Sequence, residues 1–188
     1  MNANSFKTVL AALRSLKIRH TVVGSVASSA RGAFRATIDT DVVAEITPAQ
    51  AEHLAKMLGP DWYADPDQAR AAILAGRSFN VIHMRTSEKF DIFPASSDFH
   101  ASELDRATDV VFHLPDGEVE AAVSTAEDIL LAKLRWYADG GGTSDRQWND
   151  IGGIIATNPA LDLEYLETWA ARLYVTDLLT RALREARD

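Results

Sequence analysis

Apolar residues recur at helical spacing at the start of the chain. Phe6, Val9, Leu10, Leu13 and Leu16 are separated by polar positions and predict an amphipathic helix over 2–18. "HTVVGS" then predicts a short strand ending at Gly24, and the small-residue run "VASSARGAF" a short helix stopped by Gly32. From 38 to 46 the period drops to two. Asp39, Asp41, Val43 and Glu45 fall on one face of a strand, with Ile38, Thr40, Val42, Ala44 and Ile46 on the other. "TPAQAEHLAKML" opens a helix with Thr47 as N-cap and Pro48 in the first turn. "DPDQARAAILAG" repeats the device with Asp65, Pro66 and a terminating Gly76. "SFNVIHM" and "EKFDIFP" flank "RTS" as one hairpin, and "DVVFHL" and "EVEAAV" flank "PDG" as another. From Ser124 onward the pattern is helical throughout, in four segments: "STAEDILLAKLRWYADGGG", "SDRQWNDIGGIIATN", "LDLEYLETWAARL" and "VTDLLTRALREAR". The expected organisation is an α+β part over 1–123 and a helical part over 124–188.

Composition narrows the class. With 188 residues and 47% hydrophobic content, the chain is long enough for one real core plus a helical appendage. Cysteine is absent, which removes disulfides and thiolate chemistry. The opening stretch carries Lys7, Arg14 and Lys17 at intervals and no uninterrupted apolar block, so no secretory signal is expected. No run approaches the ~18 apolar residues of a membrane span. These features predict a soluble, cytoplasmic protein. The net charge of −8 weighs against a broad nucleic-acid groove and leaves room for a local basic site.

The candidate chemistry lies in carboxylates. Asp39 and Asp41 on one strand face stand close enough to share a divalent cation, and without one their like charges repel. An isolated D-x-D pattern also suits a turn cap or a solvated strand face. Gly24-Ser25, between a strand and a short helix, is a candidate phosphate grip, because glycine permits close backbone approach and Ser25 adds a hydroxyl. Asp91, with Phe90, Ile92 and Phe93 around it, calls for a metal, hydrogen bonds or a base role, or else an edge-strand position facing water.

Together, "GSVASSARGAFRATIDTDVV" and "KFDIFP" resemble the Gly-Ser…Asp-x-Asp…Asp signature of the nucleotidyltransferase superfamily. "RSFNVIH", "EDILLAKLRWYADGG", "SDRQWNDIGGII" and "YLETWAARLYVTDLLTRAL" look like successive blocks of bacterial minimal nucleotidyltransferase-like proteins related to the AbiEii-type abortive-infection toxins. The resemblance covers nearly the whole chain. It implies a nucleotidyltransferase-like mixed β-sheet flanked by helices, followed by a C-terminal helical bundle. Asp39, Asp41 and Asp91 would be the catalytic, metal-binding acids for Mg²⁺ or Mn²⁺, with an NTP as substrate. Gly24, Ser25 and Arg35, with Lys133, Arg146 and Asp150 from the helical part, would bind the nucleotide. The acceptor could be tRNA, a protein or a small molecule, and the toxin relatives imply an antitoxin partner. Thr40, between the two aspartates, departs from the aliphatic residue usual in relatives. The alternative is a non-catalytic nucleotide- or partner-binding protein that retains the fold.

Other residues are open to two uses. Arg31 and Arg35 flank "GAF" and suit either a triphosphate or the surface. Arg77 suits nucleotide contact or a salt bridge, and His83, on the side of Phe79 and Val81, a satisfied core position. Trp136, Trp148 and Trp169 are expected to pack between helices. No H-x-x-x-H or H-E-x-x-H spacing points to zinc.

Overall fold

The structure, a computed structural model, describes residues 2–33, 37 and 39–186. The elements run α1 (Ala3–Ser15), β1 (His20–Val23), α2 (Gly24–Ala30), β2 (Asp39–Ala44), α3 (Pro48–Met57), β3 (Trp62–Tyr63), α4 (Pro66–Leu74), β4 (Phe79–His83) and β5 (Glu88–Pro94). They continue with α5 (Asp98–Arg106), β6 (Thr108–Leu114), β7 (Gly117–Val123), α6 (Ala126–Asp139), α7 (Asp145–Thr157), α8 (Leu163–Arg172) and α9 (Thr176–Glu185). Two compact units result. One comprises Met1–Val26 with Ala36–Ser124, and the other Ala27–Arg35 with Thr125–Asp188.

The first unit is built on a seven-stranded mixed sheet in the order β3-β4-β5-β2-β1-β7-β6. β2 with β5 and β1 with β7 are parallel, and the other neighbours are antiparallel. The strand rich in aspartate therefore lies in the interior of the sheet. One sheet face carries Phe90 and Ile92, both wholly buried. Phe6 of α1 packs on Phe90 at 6.0 Å between ring centroids and edge-on to Phe112 at 5.4 Å. Burying each such side chain stabilises the fold by about 1.5–3 kcal/mol.

The predicted caps form. Thr47 and Gln50 close a capping box with Pro48 at the first position of α3, and Asp65 accepts from the backbone of Asp67 and Gln68 at the start of α4. His83 is buried as expected, with Nδ1 2.8 Å from Thr86 Oγ1 and its ring 5.0 Å from Trp62. Two elements go beyond the sequence reading. The two-residue β3 adds an edge strand, and α5 forms behind Ser97, whose Oγ accepts from the His100 N–H.

Glu88 is an acid tied into this core. Burial alone would push its carboxyl up, but hydrogen bonds from Ser5, Thr86 and the Asn2 backbone outweigh it and hold the group below its usual 4.5. A depressed carboxyl contributes stability that is full above its unfolded value and is lost as pH falls through the lower folded one. Glu88→Gln is therefore expected to destabilise the chain by about 1–3 kcal/mol at neutral pH. The difference from the parent should shrink as pH drops below 4.5, as read by urea unfolding across the pH range.

The second unit buries Ile129, Leu130, Leu131, Leu134, Ile151, Ile154 and Leu166. Trp148 packs on Tyr137 at 5.0 Å, lies under the Arg181 guanidinium at 4.1 Å and donates to Glu185 Oε2 at 2.7 Å. Trp169 is buried beneath Arg172 at 4.2 Å. Trp136 differs from expectation: it stands 64% exposed, because α6 buries Leu130, Leu134 and Tyr137 along another stripe. The segment 27–33 is fixed by Asn158, whose Nδ2 donates to the Arg31 carbonyl at 3.0 Å, and by Gly32 at the side of Thr157. No helix among the described residues is long and apolar enough to cross a membrane.

Candidate active site

The parallel pairing of β2 with β5 sets Asp39 opposite Lys89, Thr40 opposite Phe90 and Asp41 opposite Asp91. Because side chains alternate along a strand, Asp39, Asp41, Lys89 and Asp91 share one sheet face, while Thr40, Phe90 and Ile92 turn into the core. Neighbouring strands lie about 4.8 Å apart, so each opposed pair is in direct reach. On the flanks, Val23 of β1 is registered with Asp41 and Asn80 of β4 with Asp91. One row across four strands thus reads Val23, Asp41, Asp91, Asn80. The three acids singled out in the sequence are brought onto one face of two adjacent strands by a crossover that no local pattern encodes.

Gly24 follows Val23 at once and opens α2 with φ +65°, where a side chain is strained. A Cβ there would lie 2.9 Å from Asp41 Cγ and closer still to Oδ2. The Asp41 carboxylate therefore occupies the space that a side chain at 24 would need. The sequence reading put Gly24-Ser25 between strand and helix; both residues instead form the helix's first turn, and α2 is only seven residues long.

The electrostatics centre on a residue the sequence reading passed over. Lys89 Nζ lies 2.8 Å from Asp91 Oδ2 and 3.6 Å from Asp39 Oδ2, with 32% of the lysine side chain exposed. The Asp91 hydrogen bond, with the charges of Asp91 and Asp39, raises the Lys89 ammonium above its usual value against the opposing effect of burial. The signal was present in "EKFD": the alternation that pairs Asp39 with Asp41 also pairs Lys89 with Asp91.

Carboxylate oxygens are the donors that hard divalent cations take. Among the described residues, no three acidic or histidine side chains gather closely enough to hold one ion in this arrangement. A protein cation stands between two of the acids instead. Carboxylates are the donor type a divalent ion takes, and three of them share this face.

Of the helical candidates, Lys133 Nζ pairs with Asp150 Oδ2 at 3.1 Å, both largely buried, within the second unit. Arg146 is exposed on the first turn of α7. Arg35 lies outside the described residues. Arg31 belongs to the second unit, where burial draws its guanidinium down and the charge of Glu127 opposes that. Arg77 lines a groove of about 340 Å³ with Tyr63, Asp65, Gln68, Ser78 and Asn80. None of the three acids lines it, but one of its lining residues, Asn80, is the cross-strand partner of Asp91.

No protein-family model and no curated protein sequence matches the chain. Solved structures that superpose on nearly all of it include two of ANT(2'')-Ia. The solution structure of the antibiotic-resistance factor ANT(2'')-Ia superposes with a TM-score of 0.54 at 16% identity, over 97% of this chain and 96% of that one. The crystal structure of ANT(2'')-Ia in complex with adenylyl-2''-tobramycin gives 0.51 at 15% identity, over 92% and 96%. The chain has a nucleotidyltransferase-like fold: a mixed sheet flanked by helices.

Proposed function

We propose that the protein transfers a nucleoside monophosphate from an NTP to an acceptor hydroxyl. The observation that carries this reading is the ladder of Asp39, Asp41 and Asp91 on two parallel strands, with Gly24 closed against Asp41. In the reaction, the acceptor oxygen attacks the α-phosphorus, the bond from that phosphorus to the bridging oxygen breaks, and pyrophosphate leaves. Such chemistry asks the protein mainly to position reactants and neutralise charge. Asp39 and Asp41 would hold Mg²⁺ or Mn²⁺, which when bound offsets the triphosphate charge. Asp91 would take the acceptor's proton and assist with a second ion. Gly24 and Ser25 would bind the triphosphate by close backbone and hydroxyl contacts. Arg35, Lys133, Arg146 and Asp150 are proposed nucleotide contacts on the strength of the sequence resemblance.

For the acceptor, a small polar molecule is the reading favoured by the groove. Its lining offers hydroxyl, amide, carboxylate and guanidinium groups, and one of them, Asn80, is registered with Asp91. The adenylylated small molecule bound to ANT(2'')-Ia supports the same choice. Kinship with AbiEii-type toxins, an antitoxin partner and a tRNA or protein acceptor rest on the sequence blocks alone.

The test is a transfer assay with each of the four NTPs labelled at the α-phosphate, Mg²⁺ or Mn²⁺, and cell extract containing RNA, protein and small molecules. Label is expected in one acceptor class with the parent chain and in none with the Asp39→Asn, Asp41→Asn double variant. Label in RNA or protein would replace the small-molecule reading. Absence of both transfer and metal-dependent nucleotide binding would leave a non-catalytic protein that retains the fold.

A further inference from the structure

We propose that Lys89 is the resident counter-ion of the acid ladder and that a divalent cation must displace it, so that this one side chain sets the metal concentration at which the site loads. The inference rests on the reading of Asp39, Asp41 and Asp91 as metal ligands. It names a residue that the superfamily signature in the sequence does not include.

The geometry carries the argument. Lys89 is opposed in register to Asp39 and sits two residues before Asp91, so its stem rises between the carboxylates of two strands. Its ammonium touches Asp91 at 2.8 Å and reaches Asp39 at 3.6 Å. A single surface ion pair contributes little, because solvent screens it. Here one cation faces two acids on an interior strand pair, with two thirds of its side chain covered and Asp91 only 20% exposed. Without that cation, Asp39 and Asp91 would lose the ammonium that stands against both of them. The lysine thus keeps the metal-free sheet from self-repulsion.

The residue type matters as much as the charge. An ammonium is a compact point charge on four rotatable carbons, without the planar fork that locks arginine onto a carboxylate. It can leave the acids when a doubly charged ion arrives, and stay within a stem's length of a bound phosphate. Ladder occupancy therefore becomes a competition between Lys89 and metal, which makes the empty site stable and its loading dependent on metal concentration.

The experiment is a Mn²⁺ titration followed by electron paramagnetic resonance, on the full chain without nucleotide. Lys89→Met and Lys89→Gln are expected to bind Mn²⁺ about tenfold more tightly than the parent, or better, since a competing charge is gone. Lys89→Arg should bind no more tightly than the parent. In EDTA the two neutral variants should melt below the parent, and Mn²⁺ should raise their melting temperatures by more than it raises the parent's. Equal or weaker Mn²⁺ binding by Lys89→Met and Lys89→Gln would overturn the proposal. Lys89→Gln, polar and of similar reach, carries the test should the methionine variant fail to fold. Tighter binding in the neutral variants with no nucleotidyl transfer from any NTP would uphold the counter-ion role and overturn the enzymatic reading. No Mn²⁺ binding by the parent or any variant would overturn both.

Discussion

Gly24→Ala is expected to destabilise the first unit by about 2–4 kcal/mol, combining left-handed backbone strain with an overpacked contact. The backbone at this position has φ +65°, and a new Cβ would stand 2.9 Å from Asp41 Cγ. The neighbour in the way is not the free end of a long side chain. Asp41 is anchored in β2 between β1 and β5, and its Cβ as well as its carboxylate stands in the way, at 3.1 Å from the new atom. The two contributions can be separated. In the Asp41→Ala background the clash with the carboxylate is removed, leaving the backbone strain and a tight 3.1 Å contact with the Cβ at 41, so the Gly24→Ala penalty should fall by about 1–2 kcal/mol. A double-mutant cycle read by urea unfolding measures this coupling directly. Strict additivity would mean that position 24 and the Asp41 side chain do not share that space. Transfer activity should fall along with stability, because the displaced carboxylate is one of the proposed metal ligands.

The other large effect lies in the second unit. Asp128→Ala is expected to cost about 3–5 kcal/mol, since it removes two hydrogen bonds to a buried charged acceptor at about 1.5–3 kcal/mol each. Asp128 is wholly buried on the first turn of α6. Its carboxylate accepts from the Tyr165 hydroxyl and from Thr125 Oγ1 at 2.9 Å, while its backbone N–H donates to Thr125 Oγ1 at 3.3 Å. The N-terminal end of a helix favours that negative charge. Alanine would leave the tyrosine hydroxyl without this acceptor and a void where the carboxylate stood. Tyr165→Phe, which removes one donor and leaves the carboxylate its other partners, should cost about 1–3 kcal/mol. Thermal unfolding of the three chains tests the ranking, and a larger loss in Tyr165→Phe than in Asp128→Ala would contradict this account.

Much of the fold was legible because it is written in local chemistry. Thr47-Pro48 and Asp65-Pro66 announce helix starts through caps that the structure forms. The hairpins about "RTS" and "PDG" follow from turn residues between apolar runs. What escaped notice was short or long-range. β3 is two residues and carries no period, and α5 is a nine-residue, mostly polar helix whose Ser97 cap is easily read as loop. The acids were visible as residue types, and their alternation placed Asp39 beside Asp41. Their union with Asp91 was not, since it depends on β2 and β5 becoming parallel neighbours across α3, β3, α4 and β4. Lys89 was legible in principle. The alternation of β5 puts it on the face of Asp91, while Phe90 and Ile92 turn to the core.

The discontinuity of the second unit has a consequence for how the protein is made. Residues 27–33 leave the ribosome early, but the groups that hold them come much later: Asn158 is 127 positions from Arg31. At synthesis rates of roughly 5–20 residues per second, that gap lasts on the order of ten seconds. During this time the early segment is a tether awaiting its anchor, and the Arg31 carbonyl lacks the amide of Asn158. Expressed alone, a fragment ending at Ser124 would carry this segment without its helices, and one beginning at Thr125 would lack it. The boundary after Ser124 is thus a poor place to cut the gene.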